Sequence, residues 1–125
     1  MLKDAVIQAM VTTTRPEASK KFYQEVLGLR LLSEDQFGIQ FAGKIGFLRI
    51  AKAPGTIPPA HAVMNFMVDD VVATARALAA HGVKLERYSF LQHDEDGLWT
   101  SPEGVKVGWF RDPDLNLIGL TQHPL

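Results

Sequence analysis

The chain has 125 residues, enough for one domain with a sizeable core and too few for two independent ones. Hydrophobic residues make up 46%, charged residues 22% and the net charge is -1, which argues against nucleic-acid or membrane-surface partners, since both need a basic patch. Cysteine is absent, which excludes a disulfide framework, a thiolate metal site and a thiol nucleophile. The first residues carry no signal-peptide profile and no stretch approaches membrane-spanning length, so a cytoplasmic protein is expected.

Residues 4–13 read as a strand, because Val6, Ile7, Met10 and Val11 suit an extended chain and threonines follow. Thr14-Arg15-Pro16-Glu17 has the form of a capping box with an early proline. Ala18, Phe22, Val26 and Leu29 mark one helical face, and Gly28 ends the helix. Residues 29–33, 37–41 and 45–51 follow as three short strands. Residues 53–60 contain three prolines and a glycine, which sustain neither ladder nor helix, and form a linker. The pattern then restarts with a strand over 61–68, an N-cap at Asp69-Asp70 and a helical face of Val71, Ala75, Leu78 and Ala79 ending at His81-Gly82. Strands over 83–88, 105–111 and 117–121 complete it. The connection 90–104 is long enough for a lid and for a short strand near 98–100. Gly28 and Gly82 close equivalent helices that Arg15 and Asp70 open at nearly equal spacing, so the chain is a duplication of architecture. The expected fold is α+β: one domain of two β-α-β-β-β units, about 1–52 and 61–125.

Near the end of the chain runs Trp109-Phe110-Arg111-Asp112-Pro113-Asp114-Leu115-Asn116-Leu117-Ile118-Gly119-Leu120. Asp112 can bond forward to backbone amides, Pro113 presets a turn, and Asn116 tolerates a left-handed conformation. Together with Phe22-Tyr23-Gln24-Glu25-Val26-Leu27-Gly28-Leu29, this segment resembles the vicinal oxygen chelate superfamily of glyoxalase, bleomycin-resistance and extradiol-dioxygenase proteins. The resemblance covers nearly the whole chain. It implies a cup-shaped mixed sheet with the helices outside, a small-molecule ligand inside the cup, and a homodimer. It also implies a divalent metal held by histidine, glutamate or glutamine from the first and last strands of each unit. The last of these is usually the glutamate of a pattern like Asp-Pro-Asp-Gly-Asn-x-x-Glu. Those positions fall here on Gln8, Arg49, Val63 and Gly119. Glutamine is a weak ligand, arginine a permanent cation, and valine and glycine have no side-chain donor. No metal and no other cofactor is therefore expected. A slip of two residues would bring in His61, still without a carboxylate.

Several polar and aromatic residues have two readings. Arg49 either clamps a ligand anion from the cup face or stands at a sheet edge, snorkelling to solvent or paired with a nearby acid. Gln8 and Asn65 either line the pocket or bridge backbone groups in the core. His61, of the same parity as Val63 and Asn65, is a candidate for acid–base work or a half-exposed histidine at a strand start. His81 suits a helix C-terminus, and His123 belongs to the tail. Trp109, with Trp99 nearby, is either an aromatic wall or core, and Phe110 is core. His93-Asp94-Glu95-Asp96 is metal-friendly in composition but reads as a solvent-facing loop. The expectation is a small-molecule-binding protein with a small, partly apolar, anionic ligand at Gln8, Arg49, Val63, Asn65, Trp109 and Gly119. Two alternatives stay open: a metal-dependent lyase or dioxygenase of the same superfamily, and a metal-independent enzyme using Arg49 and His61.

Overall fold

The computed structural model describes residues 1–122; His123 lies outside them. The chain falls into two compact units, Met1–Pro58 and the part from Pro59 onward. Each builds a four-stranded mixed sheet with a helix after its first strand. None of the described helices is long and apolar enough to cross a membrane.

The first unit contains β1 (Gln8–Thr13), α1 (Pro16–Lys21), a π-helical turn (Phe22–Val26), β2 (Arg30–Glu34), β3 (Gly38–Ala42) and β4 (Phe47–Lys52). The sheet order is β1-β4-β3-β2, with β1 parallel to β4 and the other pairs antiparallel. Pro16 opens α1 as expected, but the capping box does not form. Arg15 is the N-cap and makes no side-chain cap bond, while its own amide donates to the Thr13 hydroxyl at 3.0 Å. That hydroxyl fixes the bend into the helix one residue later than the motif suggests. Phe22 and Tyr23 are buried and meet edge to face at 5.3 Å, and Tyr23 lies 6.1 Å from Phe41. They share the core with Val11, Ile39, Leu48 and Ile50. At the rim, Glu34 takes Lys20 and Lys52, each at 2.9 Å, and these ammonium groups hold its carboxyl below the usual range. Such exposed pairs add little to stability.

The second unit contains β5 (Ala62–Val68), α2 (Val71–Ala80), β6 (Trp99–Thr100), β7 (Lys106–Arg111) and β8 (Leu117–Gln122). The order is β5-β8-β7-β6, and β5 runs parallel to β8. Asp70 caps α2 by accepting the Ala73 amide at 3.0 Å, and the Gln122 side chain accepts the Val71 amide at 3.1 Å. Two of the orphan donors of the first turn are thereby satisfied. Val71, Ala75 and Leu78 are buried, as are Phe110, Ile118 and Leu120 on the strands. The strand expected over 83–88 does not form as a ladder. One bond, from the Glu86 amide to the Trp109 carbonyl at 2.7 Å, ties this segment to β7. The reason is Leu85, whose side chain fills the space left by Gly97 and Gly108, within 2.9 Å and 2.8 Å of where their Cβ atoms would stand. The segment is held by that plug, and the short β6 is the second strand of this unit.

The turn between β7 and β8 is built on the buried Asp112 carboxylate. It accepts the amides of Asp114 and Asn116 and the Asn116 side-chain amide, each at 2.9 Å. The left-handed residue is Leu115, with φ 68°, and not Asn116. Asn116 is committed to Asp112, and closing the Leu115 amide onto the Asp112 carbonyl at 2.9 Å puts the positive φ on leucine. A left-handed L-residue costs about 1–2 kcal/mol, and Leu115 is 60% exposed, so packing offsets little of it. Leu115→Gly should therefore raise unfolding stability by about 1 kcal/mol in equilibrium denaturation. A loss of stability would show that the leucine side chain contributes more than the strain costs.

Candidate functional site

In β4, Leu48 and Ile50 are buried, so Phe47, Arg49 and Ala51 point to the face of the sheet away from the core. β4 lies between β1 and β3, which removes the sheet-edge reading of Arg49. Arg49 stands across from Met10 on one side and Gln40 on the other. Its guanidinium turns along β3 and lies over Gly38, with Cζ and Nη2 each 2.9 Å from where a Cβ would stand. Half-buried, Arg49 makes no hydrogen bond or ion pair among the described residues. Its charge is felt by Asp35, whose carboxyl is held below its ordinary range by the Phe37 and Gly38 amides, and further by Arg49 and Lys52. Gln8 is exposed, and its Nε2 donates to Gln40 Oε1 at 3.0 Å. Gln8 thus bridges to a side chain, not to backbone.

In the second unit, Gly119 sits in register between Asn65 of β5 and Trp109 of β7. The Asn65 amide lies on the glycine, its Oδ1 2.7 Å from where a Cβ would stand, while Nδ2 donates to Thr121 Oγ1 at 2.8 Å. Asn65 is exposed, which removes the core-amide reading. Val63 falls at a bulge between Ala62 and Met64, so the parity that links it with Asn65 in the sequence is broken. His61 precedes β5 and is exposed, and His81 is the C-cap of α2.

Trp109 is half-buried within an aromatic cluster, whereas its neighbour Phe110 is core. Tyr88 meets it edge-on at 5.5 Å, His93 edge-on at 6.5 Å, and Trp99 lies tilted at 6.3 Å. Tyr88 in turn contacts the exposed Phe90 at 5.5 Å. Arg111, two residues along β7, pairs with Glu86 and donates to the Leu115 carbonyl at 2.9 Å. In the stretch 93–96, Asp94 and Glu95 are exposed as expected, whereas His93 and Asp96 are half-buried. His93 is hydrogen-bonded at both ring nitrogens, Asp94 accepts the Asp96 and Leu98 amides at 2.9 Å, and Asp96 holds Arg76 in a two-point contact at 3.1 and 3.3 Å. Sequence reasoning passes over Tyr88 and takes His93 only as part of a charged loop. The available signals were the alternation of Leu85, Glu86 and Tyr88, and the Asp94-to-Gly97 turn. Among the described residues no group of three or more His, Asp or Glu side chains comes together to hold a metal ion.

The chain matches a known family over most of its length. The model of the Glyoxalase/Bleomycin resistance protein/Dioxygenase superfamily matches residues 5–120, and the chain belongs to that superfamily. Among solved structures, it is similar to a lactoylglutathione lyase from Agrobacterium tumefaciens, at 17% identity and a TM-score of 0.75, covering 98% of this chain and 96% of that one. It is also similar to TnmS3, an antibiotic binding protein from Streptomyces sp. CB03234, at 26% identity and a TM-score of 0.70, covering 98% of both chains. A bleomycin resistance determinant encoded on the transposon Tn5 matches at 20% identity and a TM-score of 0.76, covering 95% of this chain and 98% of that one. No curated protein matches the sequence.

The two seat glycines should respond differently to alanine. At Gly38 the new methyl meets the Ile50 carbonyl at 2.8 Å as well as Arg49, and backbone cannot swing aside. Gly38→Ala should cost about 1–3 kcal/mol of stability. At Gly119 only the tip of Asn65 must move, so Gly119→Ala should cost no more than the Asn65–Thr121 bond, about 1 kcal/mol. Denaturant titration of both variants checks the order, and a larger cost at Gly119 would mean that the Asn65 amide is fixed by more than Thr121.

Proposed function

We propose that this chain is a cytoplasmic, homodimeric protein that binds a small organic molecule with an anionic oxygen and a flat apolar part, and does so without a metal. The observation that carries the reading is Arg49. A half-buried guanidinium, seated on Gly38 with no hydrogen bond or ion pair among the described residues and only the field of Asp35 to offset it, is well placed to take a ligand anion. Its planar fork suits a carboxylate or similar oxyanion. Within the second unit taken by itself, the aromatic cluster around Trp109 offers large stacking faces and supports binding of a flat apolar group. Similarity to an antibiotic binding protein and to a bleomycin resistance determinant supports binding as the role. Exposed Ile7, Met10, Ile45 and Phe47 support self-association.

The four positions where the resemblance puts metal ligands supply a poor donor set here. Gln8 is engaged with Gln40, Arg49 repels a cation, Val63 has no donor, and Gly119 is covered by the Asn65 amide. No step through a metal is drawn. His61, exposed and ahead of β5, brings no support to catalysis with Arg49.

Chelation should leave the melting temperature unchanged, because removing a bound native-state ligand would lower it. Gly119→Glu should not create metal binding, since Arg49 and Val63 remain. Elemental analysis showing about one metal per chain, in either protein, would end the metal-free reading.

For Arg49 the probe is 2-naphthoate, a flat apolar carboxylate, titrated by calorimetry. Arg49→Met should weaken its binding by at least ~2 kcal/mol while changing stability little. Arg49→Lys should recover part of it, because the two-pronged contact is lost. Unchanged anion binding in the methionine variant would overturn this reading.

A further inference from the structure

We infer that His93 is the positioning residue of the aromatic cluster, and that it works only as the neutral Nδ1–H imidazole, so that ligand capture on the cluster is lost on acidification. The inference rests on the binding function proposed above. His93 Nε2 accepts the Tyr88 amide at 3.0 Å, and Nδ1 lies 2.8 Å from the Gly97 carbonyl. A backbone amide can only donate and a carbonyl only accept, so these two bonds assign one tautomer, with the proton on Nδ1. Together they tie the two ends of the segment 88–97, which carries Tyr88 and Phe90 and leads into Trp99. The imidazole also lies 6.2 Å from Tyr88 and edge-on to Trp109 at 6.5 Å, and residue 93 forms a backbone bridge to Trp99. The ring therefore touches two aromatic partners, and the backbone of the same residue bridges to a third.

A second proton on this ring has only Nε2 to occupy, where it would oppose the Tyr88 N–H donor to donor. The charged groups around the segment do not relieve that clash. Glu86 is paired with Arg111, and Arg87 donates to the Glu95 carbonyl at 3.2 Å. The Asp94 carboxylate takes the Asp96 and Leu98 amides, and the Asp96 carboxylate takes Arg76. Glu95 is exposed. Neither imidazole nitrogen has a carboxylate oxygen among these bonds, so none stands ready to take up the new proton's bond. Protonation would release the Tyr88 end and, with it, the edge that Tyr88 presents to Trp109.

The test measures 2-naphthoate binding and ligand-free tryptophan emission between about pH 8 and about pH 5, the span in which imidazoles commonly titrate. Wild-type protein should lose about tenfold or more in affinity on acidification, the value of one hydrogen bond or slightly above. His93→Gln can donate to Gly97 and accept from Tyr88 at every pH, so it should bind at pH 8 like the wild type and show a flat profile. His93→Ala should bind weakly throughout. A glutamine variant with the wild-type pH dependence, or an alanine variant that binds normally, would overturn the inference, as would nitrogen NMR showing the Nε2–H tautomer. Should 2-naphthoate bind no variant, the binding function itself fails. The ligand-free emission then decides alone: a pH shift present in wild type and absent in His93→Gln upholds the positioning role, and its presence in both ends it.

Discussion

A helix can cover only one face of a four-stranded sheet, and strand alternation makes every buried residue send its neighbours to the other face. That constraint governs both units. In β4, burial of Leu48 and Ile50 obliges Arg49 to stand on the far side, and in β7 burial of Phe110 does the same for Trp109 and Arg111. A slip of one residue in β4 would bury a guanidinium and expose two core aliphatics, so the hydrophobic core itself selects the register. The chemistry of the far faces is thus a consequence of core packing. It needs no separate device to aim it.

The same periodicity explains what could be read beforehand. Pro16, Gly28, Asp70 and Gly82 act through their own backbone or side chain, and they stand at helix ends as expected. The alternation in β4 and β7 is legible in the sequence but leaves the facing of Arg49 and Trp109 open, and the register joins Asn65, Gly119 and Trp109. What could not be read depends on partners distant in sequence. Leu85 filling the space at Gly97 and Gly108 replaces a strand by a plugged segment, and the bulge at Val63 breaks a parity that the sequence alone keeps. Leu115 is left-handed because Asp112 had already claimed Asn116. His93 looks like part of a charged surface loop until Tyr88 and Gly97 fold back on it.

Gly38 and Gly119 show a second use of the sheet face. Neither is left-handed, so neither is required by the backbone. Each removes a side chain from a position where a neighbouring polar group lies flat, the Arg49 guanidinium on one and the Asn65 amide on the other. A long side chain lying on bare backbone has fewer conformations to lose when a ligand arrives, which reduces the ordering cost of binding. A glycine on a sheet face therefore does more than leave out a side chain. It makes a seat for a different polar group.

On the proposed reading, this bears on how a metal-using scaffold could keep binding without a metal. A divalent ion supplies charge, orientation and Lewis acidity together. A guanidinium supplies charge and a two-pronged geometry, cannot be displaced by chelators, and does not polarise a bound carbonyl as a metal does. If Arg49 stands where relatives keep a metal ligand, then recognition of anionic oxygen survives the exchange and the means of stabilising an enolate or activating dioxygen does not. An anion held by Arg49 in this way would have its charge met without a Lewis acid beside it. On the proposed reading, the exchange of side chains at these few positions is what separates holding a molecule from transforming it.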